Sequence, residues 1–195
     1  MEKTWEQLQS VMLAKGYRVF TQGDYNVNII GIRHLSKKDT FDDELYVAYP
    51  LHGSMVVRRY ACTTEPGLES LLHPVNTAGT AILVPGQYRG MWKVGLHQGK
   101  YKALVQNTPV KVYRDNDRDT EYDMHPDTIQ MGVFGINLHH ASAVRDSQTV
   151  GMWSAGCQVI QKLPDFQEAM KIFTEASYLH GNSFTYTLLE EKDFQ

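Results

Sequence analysis

Apolar and β-branched residues crowd into two early runs, NVNIIGIRH (26–34) and ELYVAYPL (44–51), each bounded by polar or glycine-bearing turns. Runs of that length and content predict strands. Between them LSKKDTFDD (35–43) has no periodicity and predicts a charged, solvated connection. From residue 55 to 141 short apolar runs alternate with Gly, Pro and Asn: MVVRRYAC, GTAILVPG, MWKVGLH, YKALVQ, PVKVYRD and MGVFGINLHHA. This spacing predicts a β-sandwich-like or barrel-like pair of sheets. Helical spacing occurs at the two ends of the chain. Thr4 and Gln7 form a capping-box pattern ahead of Trp5, Leu8 and Met12, and Gly16 stops the element. Near the other end PDFQEAMKIFTEASYLHGN predicts a helix with Pro164 in its first turn, Phe166, Met170 and Phe173 on its core stripe, and Gly181-Asn182 at its close. SFTYTLLEE follows as a last strand. The expected fold class is mostly β, with an N-terminal helix and one helix after Cys157.

Composition narrows the function classes. A chain of 195 residues, 42% hydrophobic, suits one compact domain. Nineteen Lys and Arg against 22 Asp and Glu leave a net charge of −3, without the basic footprint of a nucleic-acid binder. No apolar run is long enough to span a membrane. The N-terminus lacks the basic-then-apolar pattern of a secretory signal, so synthesis in the cytoplasm is expected. Cys62 and Cys157 make no disulfide framework and read as free thiols.

Candidate chemistry gathers at VGMWSAGCQVI (150–160). Gly156 allows a sharp turn and a close backbone approach just before Cys157, which suits a nucleophile. The bland alternative is a small buried thiol. A nucleophile needs a base, and His139 and His140 end the strand-like run GVFGINLHHA. Successive side chains of a strand point to opposite faces, so one of the two is expected to face the cysteine. A neighbouring imidazolium would raise the thiolate fraction. Metal chemistry is poorly supported, because no H-x-x-x-H or C-x-x-C pair occurs among His73, His97, His125, His139 and the cysteines. DNDRDTEYD lacks the glycine and glutamate of a calcium loop, and GQYRG and GLHQG are too glycine-poor to cradle phosphate.

His139, a spacer of fourteen residues, then Ser154-Ala155-Gly156-Cys157 resembles the L,D-transpeptidase catalytic domain family, which carries a strand-end histidine followed by S-x-G-C-x-R. The segment ACTTEPGLESLLHPVNTAGTAILVPGQY is similar to that family's strand, loop and strand upstream of the motif. The similarity covers about residues 45–190. The resemblance divides the chain into an N-terminal helix and strand at 1–44, packed on the same domain, and a catalytic domain at 45–195. It implies that Cys157 forms an acyl-enzyme on a peptidoglycan stem peptide, with His139 as base and the His140 backbone carbonyl orienting the imidazole. Amides at Gly156 and Cys157 would meet the oxyanion, and Ser154 would fix the turn. It implies no cofactor and no metal.

The chain departs from the family twice. Gln158 and Val159 follow Cys157, so the arginine is missing, and His140 replaces a glycine. Arg114 and Arg145 are substitutes by charge type, and Trp153 is a candidate to line a substrate groove. The reaction expected is L,D-transpeptidation, or carboxypeptidase or endopeptidase hydrolysis, on peptidoglycan or a muropeptide, at the wall once released or delivered. The chain is also similar in character to phage-associated proteins. The alternative is a catalytically inactive binding or virion module that keeps the fold.

Overall fold

The computed structural model describes residues 2–34 and 37–195. Among these the element order is α1 (Trp5–Ala14), β1 (Asn28–Arg33), β2 (Asp43–Leu51), β3 (Ser54–Thr63), α2 (Leu68–Leu72), β4 (Thr80–Leu83), β5 (Gly86–His97), β6 (Tyr101–Gln106), β7 (Val110–Asp115), β8 (Gln130–Gly132), β9 (Leu138–His140), β10 (Gln158–Ile160), α3 (Leu163–His180) and β11 (Phe184–Glu190). The fold is mostly β, with a helix near each end. Of the sandwich-like and barrel-like arrangements expected, the main sheet takes the closed barrel, in the order β1-β11-β5-β6-β9-β10-β3-β2, and β4-β7-β8 form a separate small sheet. Closure depends on two parallel pairings, β1 with β11 and β9 with β10. Among the described residues no helix is long and apolar enough to cross a membrane.

Local chemistry accounts for most elements. Thr4 Oγ1 accepts from the Gln7 N–H and Gln7 Oε1 from the Thr4 N–H, so the expected capping box is present. Leu8 and Met12 then bury against Ile30, Ile32, Tyr46 and Leu189 on the outside of the barrel. Ile29, Leu45, Val47, Tyr186 and Leu188 fill the inside. β1 is buried on both faces along its whole length, with Ile29, Ile30 and Ile32 at its centre and the polar Asn28 and Arg33 at its ends. It lies in the ring between β2 and β11, and β2 itself starts at Asp43. Phe166, Met170 and Phe173 of α3 join the main core, as expected for a packing stripe.

Two expectations are corrected here. The segment before β2 is more than a solvated link: Leu35 and Ser36 lie outside the described residues, but Asp39 Oδ1 accepts from the N–H groups of Leu68 and Gly151, and its carbonyl from Val150 N–H. Asp43 is buried and accepts from the N–H groups of His34 and Thr64 at 2.6 Å each, beside the Arg33–Glu65 ion pair. Burial and the Glu65 charge hold its carboxyl well above the usual range. The second correction is α2, which interrupts the expected strand-loop-strand upstream of the motif. Its Ser70 Oγ donates to the Ser154 carbonyl at 2.8 Å, and Gly67 N–H donates to the same oxygen at 3.0 Å.

Candidate active site

Residues 141–157 join the parallel strands β9 and β10, and a connection of this length without regular structure is a place where fold and function meet. It is held at both ends. Ala141 N–H donates to the Ile160 carbonyl and Gln158 N–H to the Asn137 carbonyl. Val159 is buried with Phe41, Ala141 and Val150, the partly buried Cys157 packing against them. An arginine at 159 would place its charge in that apolar cluster, so the position suits valine.

The turn before the cysteine is built by Ser154. Its Oγ accepts from Gly156 N–H at 3.1 Å and donates to the Cys157 carbonyl at 2.8 Å. Gly156 has φ +119°, and a Cβ there would stand 2.4 Å from the Ala81 carbonyl oxygen. Both facts demand glycine. One expectation changes as a result. The Gly156 N–H is already donated to Ser154 Oγ, so of the two amides expected to meet an oxyanion it is the one already engaged.

Cys157 is half-buried and borders a groove of about 660 Å³ together with His97, Tyr101, His139, His140 and Trp153. This size suits a small-ligand or peptide-end site. Cys157 Sγ accepts from Asn137 N–H at 3.5 Å and donates to the Gly135 carbonyl at 3.3 Å. His139 donates from Nδ1 to the His140 carbonyl at 2.8 Å. A carbonyl only accepts, so the neutral ring carries its proton on Nδ1 and leaves Nε2 bare. His140 lies in a different stack, with ring centroids 4.6 Å from Tyr101 and 5.1 Å from Phe166. The two rings thus separate as strand alternation requires, yet both border the groove, because β9 ends at His140.

Among the other nominated residues, Trp153 lines the groove at 43% exposure. Arg114 is buried in the small sheet beside a neighbouring cavity. Arg145 is exposed and outside the groove lining. Among the described residues no three His, Cys, Asp or Glu side chains converge as a metal site.

Sequence reasoning missed His97 and Asn137 as parts of this site. The His97 ring stacks on His139 with centroids 4.2 Å apart and planes 23° apart. Asn137 Oδ1 accepts from Gln106 N–H, which turns Nδ2 toward His97 Nδ1 at 3.1 Å. His97 Nδ1 therefore accepts and its proton sits on Nε2. Asn137 stands two residues before His139, and that same-face spacing was a signal that could have found it. Nothing local marks His97.

Protonation in the resting site differs from the expected ion pair. Burial pushes the Cys157 thiol up to about 11, against a downward pull from the Asn137 N–H. Burial pushes His139 down to about 4, His97 adds to the lowering, and the His140 carbonyl opposes it. Both groups are neutral at pH 7. The thiolate absorbance of wild type minus Cys157→Ser should accordingly be flat at neutral pH and rise only toward pH 11. A step below pH 7 would restore the ion pair.

Comparison of the chain with family models, with curated proteins and with solved structures gives no match.

Proposed function

We propose that the protein is a cysteine acyl-transfer enzyme acting on peptidoglycan stem peptides, and that its barrel is a variant of the catalytic fold of the L,D-transpeptidase family its motif resembles. The observation that carries this reading is the His139 Nδ1–H bond to the His140 carbonyl. It leaves Nε2 of His139 without a proton, and His139 and Cys157 line the same groove. In the proposed reaction substrate entry draws the S–H from Gly135 toward that nitrogen. The proton passes to Nε2 as sulfur bonds to the amide carbon, and the oxyanion meets Cys157 N–H. Collapse expels the amine, which takes the proton back from His139. A second amine or water then releases the acyl group from sulfur. General-base activation from a neutral pair suits the protonation states above.

A second reading has its own support. The thiol is protonated and bonded to backbone at both of its hydrogen-bonding positions. An inert thiol in a binding module would look the same. Incubation with purified muropeptides followed by mass spectrometry separates the two. Turnover should appear as loss of a terminal D-amino acid, a new crosslink or a cut crosslink, and should vanish in Cys157→Ala. Saturable muropeptide binding with no product and no adduct on intact protein would establish the binding module instead.

A further inference from the structure

The small sheet buries a cation for which the described residues supply no counter-charge. Arg114 stands on β7 opposite Ala81 of β4 and is 8% exposed. Its Nε donates to Gln130 Oε1 and its Nη1 to the Gly79 carbonyl, both at 3.0 Å. Its guanidinium lies over the Phe134 ring at 4.6 Å. Every one of these partners is neutral. The other buried arginine differs: Arg33 is paired with Glu65 at 2.9 Å. Among the described residues no carboxylate pairs with Arg114, and burial alone pulls its pKa down.

Most of its N–H donors remain unused. They border a cavity of about 400 Å³, whose walls include Asn76, Thr80, Ala81, Phe134 and Ala155. That cavity adjoins the Cys157 groove. Ala155 lines both, and Ala81, the strand partner of Arg114, sets its carbonyl against Gly156. A buried guanidinium left without an anion is costly, and a flat fork beside an aromatic wall matches a carboxylate. A single cation among neutral neighbours matches one negative charge better than two.

We propose that Arg114 anchors a carboxylate subsite next to the nucleophile, which holds an acidic group of the substrate. Its role toward substrate rests on the acyl-transfer reading above; binding of the carboxylate itself does not.

The test follows the Gly79 and Ala155 amides by ¹H–¹⁵N NMR while N-acetylglycine is added, with the neutral N-acetylglycinamide as its match. The carboxylate should give saturable shifts and the amide none. Arg114→Gln should weaken binding at least tenfold, and Arg114→Lys, which keeps the charge and loses the fork, should fall between. Equal shifts from both probes, or undiminished binding in Arg114→Gln, overturn the subsite. Should Arg114→Gln fail to fold, the two probes on wild type decide alone. Tighter binding of inorganic phosphate at the same amides overturns the carboxylate assignment. The binding should persist in Cys157→Ala. If it persists there while wild type turns over no muropeptide, the subsite stands and the acyl-transfer reading falls. Muropeptide turnover with an unchanged KM in Arg114→Gln would remove the subsite from the substrate path.

Discussion

Replacing Gly156 with alanine is expected to lower Tm by about 5–15 °C and to abolish the proposed acyl transfer in the protein that still folds. Two costs add. A φ of +119° is a conformation that L side chains rarely adopt, and holding alanine there costs about 1–3 kcal/mol. The new Cβ would also stand 2.4 Å from the Ala81 carbonyl oxygen, and β4 must shift to relieve the overlap, at about 1–3 kcal/mol more. Any relief moves the Cys157 N–H and Sγ together, because Ser154 Oγ ties the Gly156 N–H to the Cys157 carbonyl. Gly53→Ala is the control. Gly53 has φ +82°, but nothing lies within 4 Å of its virtual Cβ, so it loses only the conformational part. Scanning calorimetry on the pair checks the claim. A Gly156→Ala shift no larger than that of Gly53→Ala would show that the close approach to Ala81 is unimportant.

His139→Ala should slow acylation by about 10²–10⁴-fold, the usual contribution of a general base, whereas His140→Ala should retain most of the rate. The asymmetry follows from what each residue offers. His139 supplies a ring with a bare Nε2, while His140 supplies a backbone carbonyl that any residue would keep. His140→Ala does lose the ring contacts to Tyr101 and Phe166, so its cost should fall on stability, at about 1–2 kcal/mol. The rate of mass addition by a carbapenem, to which the cysteine of the resembled family is susceptible, is one readout, and muropeptide turnover is another. The same assay should give a broad plateau in pH. The base works only when neutral, so the rate should fall as pH drops through about 4, where His139 takes up its proton. Because the resting thiol stays protonated up to about 11, no further inflection is expected near neutrality. Equal loss of rate in both folded variants would mean that the wrong histidine has been assigned as base.

Much of the secondary structure was legible because its determinants are local. The capping box at Thr4 and Gln7, the apolar runs of β1 and β2, and the helix stripe at Phe166, Met170 and Phe173 all act within a few residues of themselves. The tight turn at Gly156 was legible for the same reason. A small-residue approach to a cysteine states its backbone requirement directly. The illegible parts are long-range. α2 is five residues long and is stitched to Ser154, more than eighty positions away, so neither its periodicity nor its cap could announce it. Asp39 looked like one more solvated charge, and only its N–H donors from Leu68 and Gly151 show that it clamps the loop carrying the cysteine.

By itself the sequence determined that this is a mostly β chain with a helix at each end. It also determined that Ser154, Gly156 and Cys157 form a tight small-residue kink. Each of these follows from short-range sterics and hydrogen bonding, which a window of residues specifies completely. Only the tertiary structure decided that the sheet closes, since β1 must find β11 and β9 must find β10 in parallel across long separations. Only it brought His97 from the end of β5 onto the His139 ring, and left Arg114 buried on a cavity shared with Ala155, with no carboxylate among the described residues paired to it. The protonation of the site was decided there too. The pKa of Cys157 or His139 depends on how much water the fold removes from around it, and burial of that kind is a property of the whole packed molecule.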